Sequence, residues 1–210
     1  MSANGAAEQV DVLVVGCGTT GLALVRLLEL EGLRVAAVER GRLPLSFPRA
    51  TKLDDETMRA WQTLGLRHLE KTFSLVGLYR FYDAAWHVVM EMDLNRGLTE
   101  QGWQSDYMFH QPDFEAVLRG HAQNDPNTST YFGWELLALE DSGDQVLAEI
   151  RELSTGARRQ IRAAFAVGAD GANSPVRKMM GIGQIDYHAT HRQLITDLVP
   201  FVENPSLPGR

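Results

Sequence analysis

Cysteine is nearly absent: Cys17 alone stands among 210 residues, so neither a disulfide framework nor a cysteine metal cluster can be built. Its place inside a glycine turn suits a small residue in a crowded bend. There is no run of Lys or Arg, and a net charge of −7 with mixed signs argues against a nucleic-acid partner. No apolar stretch reaches the length of a membrane span, and residues 1–9 lack the basic flank and apolar core of a signal peptide. The sequence therefore reads as a cytoplasmic protein without a membrane partner. Repeats and low-complexity tracts are also missing. His188 with His191 forms an H-x-x-H; the segment around the pair looks extended and brings no carboxylate at matching spacing. Solvated or hydrogen-bonded histidines are expected there, and no metal site.

What is present begins with Gly16, Gly18 and Gly21 in a G-x-G-x-x-G pattern. It follows the apolar run Val10 to Val15 and precedes a helical pattern carrying Leu22, Leu24, Val25, Leu27 and Leu28, the strand–turn–helix context the motif requires. In such a turn the first glycine permits the tight bend, the second lets backbone approach a pyrophosphate, and the third lets helix and strand pack closely. Phosphates then meet unpaired N–H groups at the positive end of the helix dipole. A second strand, Leu33 to Arg40, ends in Glu39, about twenty residues on, where an acid meets an adenosine ribose. Glu39 would repel a 2′-phosphate, so this unit favours the unphosphorylated adenosine of FAD or NAD.

At 210 residues the chain can hold one sizeable core, or a domain and part of another. After a loop broken by Pro44 and Pro48, Asp54 and Asp55 open a helix to Leu64, with Met58, Trp61 and Leu64 as its apolar stripe. Short strands with a turn near Tyr82 fill Phe73 to Leu94. Another helix starts at Gln111, with Pro112 in its first turn. Tyr131 to Leu139, Gln145 to Glu152 and Gln160 to Val167 read as three strands of an antiparallel meander. A second motif follows at once, Val167-Gly-Ala-Asp-Gly-Ala-Asn-Ser-Pro-Val-Arg177, then a helix from Val176 to Met180 and a strand from Gln193 to Val199.

Four pieces together resemble the class A flavoprotein aromatic hydroxylases: the glycine turn with Glu39, Pro48-Arg-Ala-Thr51, the Gln111…Glu115…Leu118-Arg119 helix, and Asp170-Gly171…Ser174…Arg177. The resemblance implies an α/β fold, a Rossmann-like FAD-binding domain with an inserted antiparallel β meander and the beginning of a β-rich substrate domain. It implies a FAD-binding domain over 1–183, with 73–105 as an excursion into the substrate domain, and the start of that domain over 184–210. Gly16, Gly18, Gly21, Glu39, Arg40, Arg49, Gln111, Asp170 and Gly171 would bind cofactor. Arg49 would reach the pyrophosphate, and Asp170 would accept from a ribityl hydroxyl. Arg177 would stabilise its turn, and Arg119 is open between turn and ligand. Catalytic residues are not named by these motifs. A plain NAD-dependent dehydrogenase is disfavoured, because an Asp-Gly motif after a meander has no place in a simple dinucleotide-binding domain.

The implied activity is a FAD-dependent monooxygenase, with NADH or NADPH as co-substrate, that uses O2 to hydroxylate a phenolic aromatic acid ortho to its hydroxyl in aromatic catabolism. Phe47 to Leu66 looks most like 3-(3-hydroxyphenyl)propionate hydroxylases. Resorcinol and aromatic-polyketide hydroxylases share much of the pattern, and a homo-oligomer is compatible with it. The family's third fingerprint, a Gly-Asp followed by Ala and His, does not occur. The chain is thus expected to be the N-terminal part of a longer hydroxylase and inactive alone; the alternative is a truncated, non-catalytic flavin-fold fragment.

Overall fold

The computed structural model describes residues 7–44, 46, 50–188, 194 and 201. Strand β1 (Glu8–Val15) leads into α1 (Thr19–Leu30), which returns the chain through β2 (Val35–Glu39), parallel to β1. Val12 and Val14 pack with Leu22 and Val25 of α1, whereas Leu13 and Val15 join a second core with Ala36 and Val38. A strand buried on both faces reads as a continuous apolar run, which is why β1 shows no period of two. Of the apolar residues expected to line α1, Leu27 is exposed, on the face turned away from the sheet.

Asp54 closes β3 (Lys52–Asp54) and caps α2 (Asp55–Thr63), its Oδ1 accepting from the Thr57 amide at 2.8 Å. Met58, Trp61 and Leu64 are buried, as the helical spacing predicts. Short strands follow: β4 (Ser74–Leu75), β5 (Leu78–Tyr82), β6 (Val88–Asp93) and β7 (Asp106–Met108). Strands β3, β7 and β4 form a small antiparallel sheet, and β5 and β6 a separate hairpin. Asp83 turns that hairpin by accepting from the amides of Ala85 and His87.

Helix α3 (Gln111–Asn124), with Pro112 in its first turn, packs on α1 and leads to β8 (Thr128–Phe132). The meander is β9 (Trp134–Asp141), β10 (Val146–Glu152) and β11 (Arg158–Gly168), and α4 (Pro175–Met179) follows it. The main sheet has the order β8-β2-β1-β11-β10-β9, parallel from β8 to β11 and antiparallel beyond. Tyr131 to Leu139 is therefore not one strand. Gly133, at φ +86°, divides it, a backbone conformation that side chains disfavour, and its amide donates to the Glu39 carbonyl at 2.8 Å. Residues before the bend complete the parallel edge beside β2; residues after it open the meander. Leu136, Ala148, Ile150 and Ile161 of the meander share the second core with Leu13 and Val15, opposite the α1 side of the sheet. The strand expected over 193–199 lies, apart from Leu194, outside the described residues, as does His191. Among the described residues no helix is long and apolar enough to cross a membrane.

Candidate functional site

Strand β1 lies between β2 and β11, both parallel to it, and the chain leaves the carboxyl ends of β1 and β11 toward opposite faces of the sheet: α1 packs in the first core and Val176 of α4 in the second. A crevice outside such strand ends is where open α/β sheets bind ligands. Both sequence motifs meet there. The Gly16 amide donates to the Val38 carbonyl at 2.8 Å, and the Ala169 amide donates to the Val15 carbonyl at 2.7 Å. The first turn, which continues β1, is thereby tied to the end of β2 and the second turn to the end of β1, so two turns some 150 residues apart in sequence stand side by side.

The three glycines of the first turn differ physically. Gly16 has φ +96°, and a Cβ there would lie 2.4 Å from the Ala169 carbonyl oxygen of the second turn. A Cβ on Gly21 would lie 1.8 Å from the Gly16 oxygen. Both are demanded by the protein's contact with itself. Gly18 is not: its φ of −75° and ψ of −173° suit any residue, and a Cβ there would meet nothing closer than Glu115 Oε1 at 3.9 Å. The open space over Gly18 is what close approach by a pyrophosphate needs.

Glu39 reaches back to the same turn. Its Oε2 accepts from the Cys17 amide at 2.9 Å and its Oε1 from the Gly41 amide at 2.7 Å. A carboxylate has about four lone-pair sites, so acceptor capacity remains for ribose hydroxyls. Cys17 is fully buried; desolvation first, and then the charge of Glu39, pushes its thiol up to about 12, against a smaller opposing pull from Arg119. Such a thiol is inert. Arg40 is mostly exposed and pairs with Glu135 of the meander, Nε to Oε2 at 3.8 Å. Arg49 lies outside the described residues.

In the second turn, Gly171 takes φ +82° and Asp170 turns its carboxylate inward. Asp170 Oδ2 accepts from the Val176 amide at 2.9 Å, while Oδ1 is buried without a partner among the described residues. A buried carboxylate oxygen left without a donor is costly, and a ligand hydroxyl would satisfy it. Arg177 fastens the turn through Nη1 to the Ala172 carbonyl at 2.8 Å, and Ser174 Oγ accepts from the Arg177 amide at 3.0 Å.

Helix α3 completes the surroundings. Gln111, buried, accepts from the Ala50 amide at 2.8 Å and donates to Glu115 Oε1 at 2.7 Å. Glu115 Oε1 also accepts from the amide and the hydroxyl of Thr19, at 3.1 and 3.0 Å. Arg119 donates to the Gly41 and Arg42 carbonyls at 3.3 and 3.1 Å, its guanidinium 4.4 Å from the centre of the Phe132 ring. Gln111 thus bonds to protein at both ends of its amide. Glu115 was given no role by the sequence reasoning, although its four-residue spacing from Gln111 and Arg119 signals a shared helix face. Among the described residues no group of three or more His, Cys, Asp or Glu could hold a metal ion.

Comparison with known proteins follows the same lines. The chain is 33% identical over 191 residues to a 3-(3-hydroxy-phenyl)propionate/3-hydroxycinnamic acid hydroxylase of Mycolicibacterium gilvum, covering 90% of this chain and 32% of that protein. It is 34% identical over 208 residues to a probable NADH-specific resorcinol 4-hydroxylase of Rhodococcus jostii, covering 96% of this chain and 38% of that one. It therefore spans about a third of the length of these relatives. The flavin-dependent monooxygenase PieE, solved with FAD and substrate, superposes with a TM-score of 0.75 at 24% identity, over 83% of this chain and 32% of that one. A p-nitrophenol 4-monooxygenase from Pseudomonas putida superposes equally well, at 0.75, with 23% identity over 83% of this chain and 44% of its own. These two likenesses concern the fold, a Rossmann-like FAD-binding domain. The family described as FAD binding domain matches residues 9–205, nearly the whole sequence, and the chain belongs to that family.

Proposed function

We propose that this chain is the FAD-binding part of an aromatic hydroxylase that uses NADH or NADPH and O2 to place a hydroxyl on a phenolic acid, ortho to the existing one. The observation that carries the reading is the junction of the two turns, where Gly18 is open and Asp170 Oδ1 is buried without a donor. Gly18 would leave room for the pyrophosphate at the α1 N-terminus, in a cofactor turn shaped by Gly16 and Gly21, with Glu39 at the adenosine ribose and Asp170 with Gly171 at the ribityl chain. Arg49 would reach the pyrophosphate, Arg40 would add a cofactor contact beside Glu39, and Gln111 would order the loop through Ala50. When bound, FAD supplies hydride acceptance and oxygen activation; the protein's share is to bind it, orient it and keep water from its ring.

The domain reading goes with this. Residues 1–183 form the cofactor domain, the β5–β6 hairpin belongs to the excursion toward the substrate domain, and 184–210 begins that domain. A resorcinol substrate is the second reading, supported by the Rhodococcus relative, whose match runs over 96% of this chain. The test has two stages. FAD titrated into the 210-residue chain should bind, however weakly, and Gly18→Val should abolish it. In the polypeptide extended to the length of its relatives, NADH and NADPH oxidation with product analysis should give a catechol from 3-(3-hydroxyphenyl)propionate. Turnover of resorcinol alone would move the assignment to the second reading, and no FAD binding by either polypeptide would overturn both.

A further inference from the structure

Gln111, Glu115 and Arg119 stand four residues apart on α3, all buried, and each holds a different loop around the strand end: Ala50, Thr19, and Gly41 with Arg42. We propose that Glu115 is the positioning residue of this face, fixing the α1 N-terminus in the conformation that receives a pyrophosphate. This rests on the cofactor reading above.

The first N–H groups of a helix have no partner within it, and α1 is preceded by Gly18, which has no side chain to cap them. Glu115 supplies from α3 what that position lacks. One oxygen, Oε1, collects the Thr19 amide, the Thr19 hydroxyl and the Gln111 amide group, and the residue is 2% exposed. By taking the Thr19 amide sideways, Glu115 fixes the peptide that links Gly18 to Thr19, and with it the orientation of the neighbouring amides left for an anion. It does this at the rim of the open space over Gly18, 3.9 Å from where a Cβ would stand. The role needs an acceptor oxygen, not a charge, so glutamine can perform it.

Exchange of the Thr19 amide with D2O, followed by NMR in the ligand-free chain, separates Glu115→Ala from Glu115→Gln. The expected result is slow exchange in the parent and in Glu115→Gln, and exchange faster by about tenfold in Glu115→Ala, since an anchored amide opens only with its anchor. In titrations of the same proteins, Glu115→Ala should weaken ADP binding about tenfold and adenosine binding less than about twofold, with Glu115→Gln near the parent for both. A purely structural role would lower ADP and adenosine together. That outcome overturns the proposal, as does equal Thr19 exchange in parent and Glu115→Ala, or Glu115→Gln falling with Glu115→Ala. Should Glu115→Ala not fold, Glu115→Asp, which draws the carboxylate back by one methylene, should speed Thr19 exchange and weaken ADP about threefold while leaving adenosine unchanged; no change in either would overturn the proposal. If the parent binds no ADP, the cofactor reading fails, while Thr19 exchange still decides whether Glu115 anchors the turn.

Discussion

Gly18 and Gly21 of the first turn should respond to alanine in opposite ways. Gly18→Ala adds a methyl in an ordinary extended conformation with no protein atom nearer than 3.9 Å, so the fold loses nothing. A less flexible unfolded chain should stabilise it by up to about 1 kcal/mol. The same methyl stands where a pyrophosphate must touch backbone, and displacing even one charge-assisted contact of about 1.5–3 kcal/mol weakens ADP about ten- to a hundredfold. Gly21→Ala reverses both terms. Its Cβ would lie 1.8 Å from the Gly16 carbonyl, so α1 must move off the strand by more than an ångström. Overpacking of that severity costs about 2 kcal/mol or more, which for a domain this size lowers Tm by about 4–8 °C or further. Thermal unfolding by circular dichroism and ADP titration of both variants give the two readouts. Gly18→Ala binding ADP within about twofold of the parent, or Gly21→Ala melting with it, would refute the division of roles.

Other consequences follow from single contacts. Glu39→Ala strips the acceptor from the buried Cys17 amide and should destabilise the chain by about 1–3 kcal/mol in urea unfolding, before any ligand is added. Asp54→Ala removes the cap of α2 and should cost about 1 kcal/mol in the same assay. Cys17 gives an alkaline signature. Its thiol is raised from 9.0 to about 12 in the fold, so the folded state keeps a proton the unfolded state releases. The stability this carries is intact below pH 9 and is lost as pH rises through the folded value, by roughly 1.4 kcal/mol per pH unit above 9. Between pH 8 and 10 the parent should therefore lose more stability than Cys17→Ala; parallel losses would contradict the buried, protonated thiol.

Much of the fold was legible because its signals are local. The glycine turn announces itself between an apolar run and a helical stripe, Asp54 marks the start of α2, and Pro112 the first turn of α3. The break inside Tyr131 to Leu139 was missed because strand-like residues flank Gly133 on both sides. A lone glycine within such a run signals a bend only when the strands it joins have different partners. Strands β3, β4 and β7, two or three residues long, carry no period to read. In the site, Glu39 was placed by its distance from the turn, but its bonds to the Cys17 and Gly41 amides are invisible in one dimension. Glu115 was passed over because its partner, Thr19, lies 96 residues away. Spacing along α3 could show that Gln111, Glu115 and Arg119 share one face, not what that face touches.

The claim that the two turns form one FAD cradle is tested most directly by recording amide chemical shifts of the uniformly labelled chain as FAD is added. Perturbations should concentrate in three distant stretches of sequence, Gly16 to Thr20, Glu39 to Gly41, and Ala169 to Gly171, and should vanish from all three together in Gly18→Val. Shifts confined to one stretch, or persisting unchanged in that variant, would contradict it.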